Sequence, residues 1–330
     1  MPAIRPATRE DLASIVELLS GDAQARARLD PVLWRVAADA PARIETAVGA
    51  ALNAPQVAAR EFWLVAGHAQ RIAGVTHAAI VPVPPIYDSA ASTPGLLHDD
   101  CVISADAPSG TAEALLAATE AALRSAGATT LIASCLAAGP LRSLYQHHGY
   151  EPVTLYMAKH RLGVAPAPGV RPAGAADVPV IVKRSADHRA TLARINPRFW
   201  HIHPEADRRF DAWMRRSLTL ADRDMFVAVE AGALHGYVIA QPASALLFPA
   251  GHDVAAIGVI DDFYDGDFAN VSAVSNVGMH GDNLLAAAEG AFARRHIDSA
   301  LVVCPAAWPS KVSLLERRGY RTAKLWMLKG

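Results

Sequence analysis

Cysteine is scarce in this chain of 330 residues: only Cys101, Cys135 and Cys304 are present. Cys135 and Cys304 fall at equivalent positions on predicted strands, where a small buried apolar side chain is the ordinary role, and a reducing cytoplasm suits such a set. An excess of charge is missing too, with 31 lysines and arginines against 32 acids, so no general field draws the protein to nucleic acid or anionic lipid. No stretch of about 18 uncharged apolar residues occurs, and the opening "MPAIRPA" carries no apolar core of signal-peptide length. These absences exclude polyanion binding and membrane spanning and lead us to expect a soluble cytoplasmic protein.

What is present is a repeat. "SLYQHHGYEPVTLYMAKH" (143–160) aligns without a gap with "SLLERRGYRTAKLWMLKG" (313–330), placing Gly149 over Gly319, Tyr150 over Tyr320 and Lys159 over Lys329. Further back, "LLAATEAALRSAGATTLIASC" (115–135) lies over "LLAAAEGAFARRHIDSALVVC" (284–304), with Glu120 over Glu289. The starts agree as well: "IRPATREDLASIV" (4–16) reads against "VRPAGAADVPVIV" (170–182), and "DPVLW" (30–34) against "NPRFW" (196–200). A period this long is a whole domain, and the 52% hydrophobic content fills two cores. The intervening "RLGVAPAPG" (161–169) has the prolines, glycines and aperiodicity of a linker. The sequence therefore divides into domains 1–160 and 170–330, joined by the linker 161–169 and packed as an internal pseudo-dimer.

Each copy reads as strand, helix, second helix, antiparallel pair, acid-bearing strand, long alanine-rich helix, buried strand, short helix and final strand. Thr8 is a plausible helix cap with Asp11 three residues on. The acid-bearing strands contain "HDDCVIS" (98–104) and "VIDDFYD" (259–265), and alternation along a strand predicts that one acid of each pair reaches a given face. This order specifies a mixed α/β fold: two tandem domains, each a mixed, mostly antiparallel sheet flanked by helices. "WHIHPEAD" (200–207) brings His201 and His203 together, but no cysteine or third histidine accompanies them in sequence, so we read no metal site. The proline-rich "IVPVPPIYDSAASTPG" (80–95) reads as a loop placed to line the first cleft.

The opening "IRPATREDL", the helix "GTAEALLAATEAALRSAG" and the closing "LYQHHGYEP", twice over, resemble the GNAT superfamily of N-acyltransferases, which move an acyl group from coenzyme A to an amine. The resemblance implies acetyl-CoA as cosubstrate and a small-molecule or peptide amine as acceptor. In that superfamily a loop of pattern Arg/Gln-x-x-Gly-x-Gly/Ala opens the long helix and holds the pyrophosphate on backbone amides. Here "APSGTA" (107–112) keeps Gly110 and Ala112 but has Ala107 in place of Arg or Gln, and "NVGMHG" (276–281) keeps only Gly281. The resemblance assigns coenzyme A contacts to Cys101, Val102, Ile103, Ser109, Gly110, Thr111 and Ala112, and in the second copy to Met279, His280, Gly281 and Asp282.

"LYQHHGY" matches the superfamily's Leu-Tyr-x-x-x-Gly-Phe/Tyr, which implies Tyr145 as the acid that protonates the departing thiolate; Leu315 stands at that place in the second copy. Asp99 and Asp100 sit where members carry a carboxylate that deprotonates the amine. Plain structural roles remain open for each: capping for Ser109 and Asp282, packing for Tyr145, capping or edge solvation for the acids. Two functions follow. One is an N-acetyltransferase-like enzyme with the first copy better equipped; the other is a catalytically inactive, coenzyme A-binding or scaffolding protein with decayed loops.

Overall fold

The computed structural model describes residues 3–53, 61–68, 71–273 and 279–330. Each copy begins by tying its first strand to its first helix. On β1 (Ile4–Pro6), Arg5 donates two hydrogen bonds, of 2.8 and 2.7 Å, to the carboxylate of Asp11, which also accepts from the backbone N–H of Thr8 at 2.7 Å. The Arg5 bond, with help from Thr8, holds the buried Asp11 carboxyl below its ordinary range against the cost of burial. The second copy repeats the device with Arg171 and Asp177 at 2.7 and 2.8 Å, on β8 (Val170–Pro172).

In the first copy, α1 (Leu12–Leu29) and α2 (Ala40–Asn53) lead to the hairpin β2 (Glu61–His68) and β3 (Arg71–Ile80). Then come β4 (Pro94–Leu97), β5 (Val102–Ile103), α3 (Thr111–Ser125), β6 (Thr130–Leu136), α4 (Pro140–His147) and β7 (Tyr150–His160). The second copy follows with α5 (Val178–Ile195), α6 (Ala206–Ser217), β9 (Asp224–Glu230) and β10 (Ala233–Pro242). It is completed by β11 (Ile257–Asp265), α7 (Met279–Arg294), β12 (Ser299–Pro305), α8 (Pro309–Arg317) and β13 (Arg321–Lys329).

All the strands join one sheet, in the order β1-β2-β3-β4-β6-β13-β7-β12-β11-β10-β9-β8, with β5 pairing β3 off that path. The copies exchange their last strands. β13 lies beside β6 of the first copy, β7 beside β12 of the second, and the two pair antiparallel with each other at the centre. Sequence alone leaves this open, because the chemistry of the two final strands is the same and either fits either sheet.

Two matching clamps hold the exchange. Glu120 on α3 accepts from the Tyr150 hydroxyl at 2.9 Å and from Lys329 on β13 at 2.7 Å; Glu289 on α7 accepts from the Tyr320 hydroxyl at 3.0 Å and from Lys159 on β7 at 2.8 Å. The glutamate, tyrosine and lysine that recur in the sequence thus recur because each set spans both copies. Loops cross as well: Tyr87 bridges to Ile202, and Val36 to His252, so each copy's loop covers the other's helix-pair side.

One predicted strand breaks. Residues 98–101 form no strand but a gap between β4, which runs parallel to β6, and β5, which pairs with β3. In the second copy β11 runs unbroken through its acids. It stays paired with β12 only over Ile257–Ile260 and continues to Asp265 along β10 alone.

Candidate active site: one open cleft and one filled

Beyond Ile260, β11 and β12 diverge, and the space on the side of α5 and α6 is a cleft of about 450 Å³. That is the size of a small-molecule site, roughly 300–1,000 Å³. Aromatic side chains from α6 and the segment before it, Trp200, Phe210 and Trp213, form its walls, with Ile86 and Tyr87 of the first copy opposite. The proline-rich loop, expected over the first cleft, therefore lines the second. Crossing of the loops is the reason.

Polar groups converge on the floor. The carboxylate of Asp262 accepts from the Tyr237 hydroxyl at 2.6 Å and lies 3.3 Å from His188 Nδ1. A carboxylate only accepts, so Nδ1 carries the proton and Nε2 is left as an acceptor; Nε2 is buried and has no partner among the described residues. Burial, reinforced by Lys311, pushes the His188 imidazole down and keeps it neutral.

Asp261 also lines the cleft. It is reachable by solvent yet crowded by protein, and burial, with the charge of Asp262 next, pushes its carboxyl up to about 6. Both acids reach one cleft because the β10–β11 register shifts between Ile239 and Gln241: one extra residue on β11 breaks the alternation. The expectation of one acid per face fails here for that reason. Gln241 Nε2 donates to Asp261 at 2.8 Å, and Lys311, buried, donates to the carbonyl of Phe263 at 2.7 Å.

The equivalent space in the first copy is filled. Asp99 is buried and ion-paired with Lys324 of β13, which also donates to the Leu247 carbonyl at 2.8 Å. Arg26 donates to the Asp99 carbonyl at 2.6 Å and pairs with Asp22 at 2.5 Å. Asp100 lies 3.0 Å from His77 Nδ1. Phe248 of the second copy packs edge-on against Trp34 with centroids 5.4 Å apart, and a cavity of about 40 Å³ remains beside Asp99 and Asp100. Neither acid stands open to a ligand.

Tyr145 is fully buried in a packed site, with about 10 Å³ of free space shared with Thr76, Cys101, Ile103 and Ala112. Burial drives its phenol well above the ordinary value, and the Cys101 thiol up to about 12. Cys101 Sγ donates to the His98 carbonyl at 3.2 Å. Val102 and Ile103 pair with β3 on one side of β5 only. Ser109 is exposed and does not cap α3; the cap is Gly110, at φ +83°, a conformation that excludes β-branched residues. Thr111 donates its hydroxyl to the Pro108 carbonyl at 2.6 Å.

In the second loop, residues 276–278 lie outside the described residues. Met279 is exposed at the start of α7, and Asp282 lies inside the first turn, 3.9 Å from Arg318. Gly281 is packed so that a Cβ would meet Leu314 at 3.1 Å and Phe268 at 3.2 Å. His280 stacks on His235. His201 and His203 stay apart in role: one ring nitrogen lies 3.1 Å from the Arg198 carbonyl, the other accepts from the Glu205 N–H.

No protein-family model matches the sequence, and no curated protein matches it. Solved structures match its shape. A GCN5-related N-acetyltransferase from Sphaerobacter thermophilus superposes with a TM-score of 0.54 at 15% identity, over 99% of this chain and 95% of that one. The GCN5-related glucosamine N-acetyltransferase region of a fungal multi-domain β-N-acetylglucosaminidase gives 0.50 at 13% identity, over 99% of this chain and 38% of that one. A tandem GNAT protein from the clavulanic acid biosynthesis pathway gives 0.48 at 15%, over 99% and 97%. The chain has the GNAT fold.

The two copies differ at the start of the long helix. The first keeps a cradle that fits a diphosphate: a left-handed glycine opening α3, whose first turn presents backbone amides. The described part of the second does not fit one, since Glu230, Asp265 and Asp267 gather there with His235 and His280. The second copy has the open cleft. Sequence reasoning missed His188, Tyr237 and Trp213, because they are spread over α5, β10 and α6 and share no motif. Asp261 and Asp262 were visible as a pair.

Proposed function

We propose that this chain is an N-acyltransferase-like protein whose amine acceptor binds in the second copy's cleft. The observation that carries the reading is Asp261, with its carboxyl near 6, opening onto an aromatic cleft of the size of a small-molecule site. An amine must lose a proton before it attacks, and a base works best when its pKa lies near the working pH. Asp261 takes that proton. His188 Nδ1 and the Tyr237 hydroxyl hold the Asp262 carboxylate in place beside it. The aromatic walls favour a primary amine on a flat apolar body, and two carboxylates attract its ammonium form. An acyl-CoA bound beside the cleft would supply the activated thioester; the Gly110 turn that fits a diphosphate opens the long helix of the other copy.

A second reading, an inactive binding protein, is favoured by the carboxylates around the second cradle and by the aromatic packing at Gly281. The test incubates the full chain with acetyl-CoA and a panel of aromatic and aliphatic primary amines and follows thiol release. Turnover that falls about a hundredfold or more in Asp261→Asn supports the enzyme. Amine binding with no thiol release from any member of the panel sinks it in favour of the second reading.

A further inference from the structure

Three elements of the second copy meet away from the cleft: the β9–β10 hairpin, the end of β11 and the first turn of α7. They bring together Glu230, His235, His280, Asp265 and Asp267. The donor atoms of Glu230, His235 and His280 lie within 4.8 Å of one another, and so do those of Asp265, Asp267 and His280, with His280 common to both sets.

The two imidazoles stack with centroids 4.7 Å apart and planes 19° from parallel, and both Nε2 atoms face the same oxygen of Glu230, at 3.9 and 3.6 Å. Those separations are too long for hydrogen bonds. They are close to the spacing of roughly 3.4 Å between ligands on a tetrahedral ion with bonds of about 2.0–2.1 Å. Asp265 adds an independent sign: it is 1% exposed, yet its Oδ2 has no hydrogen-bond partner among the described residues. An unpaired buried carboxylate oxygen is costly unless something neutralises it.

We propose that this cluster is a binding site for a divalent transition ion of the zinc class, held by His235, His280 and Glu230, with Asp265 and Asp267 closing the far side. Two imidazoles with carboxylates are a donor set that zinc accepts and that magnesium and calcium, which prefer all-oxygen shells, do not select. Three carboxylates offset the unfavourable placement of a cation near a helix N-terminus. The ion would pin the hairpin to α7. Sequence hid the site because its five members span residues 230 to 280 without a motif spacing.

The test uses the full chain, stripped with chelator, without an affinity tag, and titrated with zinc chloride; cobalt chloride serves as a visible-absorption probe of coordination number. One site with a dissociation constant in the micromolar range or tighter, and the intense cobalt bands of four-coordinate geometry, are expected. His280→Ala and, in the exposed hairpin, His235→Gln should each weaken zinc by at least about tenfold, as ligand-shell changes do. His201→Ala with His203→Ala serves as the control for surface histidines and should change nothing. Absence of saturable binding below 100-fold excess metal, or binding that survives His235→Gln, overturns the site.

Discussion

The two copies are built from one pattern and differ most where they face each other's loops. In the first, Phe248, Trp34 and the Asp22–Arg26–Asp99–Lys324 network occupy the space beside the acids. In the second, Tyr87 and Trp200 line the matching space and leave it open. A buried charge network and an aromatic plug convert a cleft into core. The lesson is that acids at equivalent positions carry different chemistry once a cation has been placed beside one of them: Asp99 is held below its ordinary value, where burial is outweighed by Lys324 and Arg26, and Asp261 stands up near 6.

The widest separation between the copies is expected in stability. Asp99→Asn leaves Lys324 buried without its counter-charge and should cost about 3–5 kcal/mol in chemical denaturation. Asp261→Asn should cost little, because that side chain is exposed to solvent and no cation is buried against it. Equal losses at both positions would break the comparison.

A smaller effect is expected in binding. Trp200→Ala removes a wall of the open cleft and should weaken an aromatic amine by about tenfold, or about 1.4 kcal/mol, in calorimetry. The matching residue of the first copy, Trp34, touches no ligand in this account, so Trp34→Phe should leave that affinity unchanged.

Smaller still are two pH windows. Asp261 has a folded value of about 6 against an ordinary 3.8, so the folded state binds the proton more readily and stability falls as pH rises from about 4 to 6. His77 belongs to the first copy: burial pulls it down, but the carboxylates of Asp100 and Glu61, each 3.0 Å from a ring nitrogen, outweigh that and raise it above 6.5. Its contribution is present below 6.5 and is lost as pH rises through the raised value. Melting curves against pH should flatten in the lower window for Asp261→Asn and in the upper one for His77→Gln.

Least affected should be Tyr145→Phe. The hydroxyl lies in packed core beside Cys101, so we expect a stability change of about 1 kcal/mol and turnover within about twofold of the parent. A hundredfold loss would return the proton donor to the first copy.

Much of this was legible in the sequence. The repeat, the element order and the pairing of Thr8 with Asp11 follow from local pattern, since capping and periodicity are decided within a few residues. The open cleft was not, because three non-local events made it: the exchange of β7 and β13, the crossing of the loops, and a register shift that turns two neighbouring acids to one side. Lys324 is 225 residues from Asp99 in sequence, and nothing at either position announces the pair.

Where a ligand lands tests the central claim most directly. Hydrogen exchange on the full chain, with and without saturating 2-phenylethylamine, should show added protection in α5, α6 and residues 84–87 and none in α1, α2 or residues 247–252. Protection confined to α1, α2 and residues 247–252 would put the working site in the first copy and contradict the account.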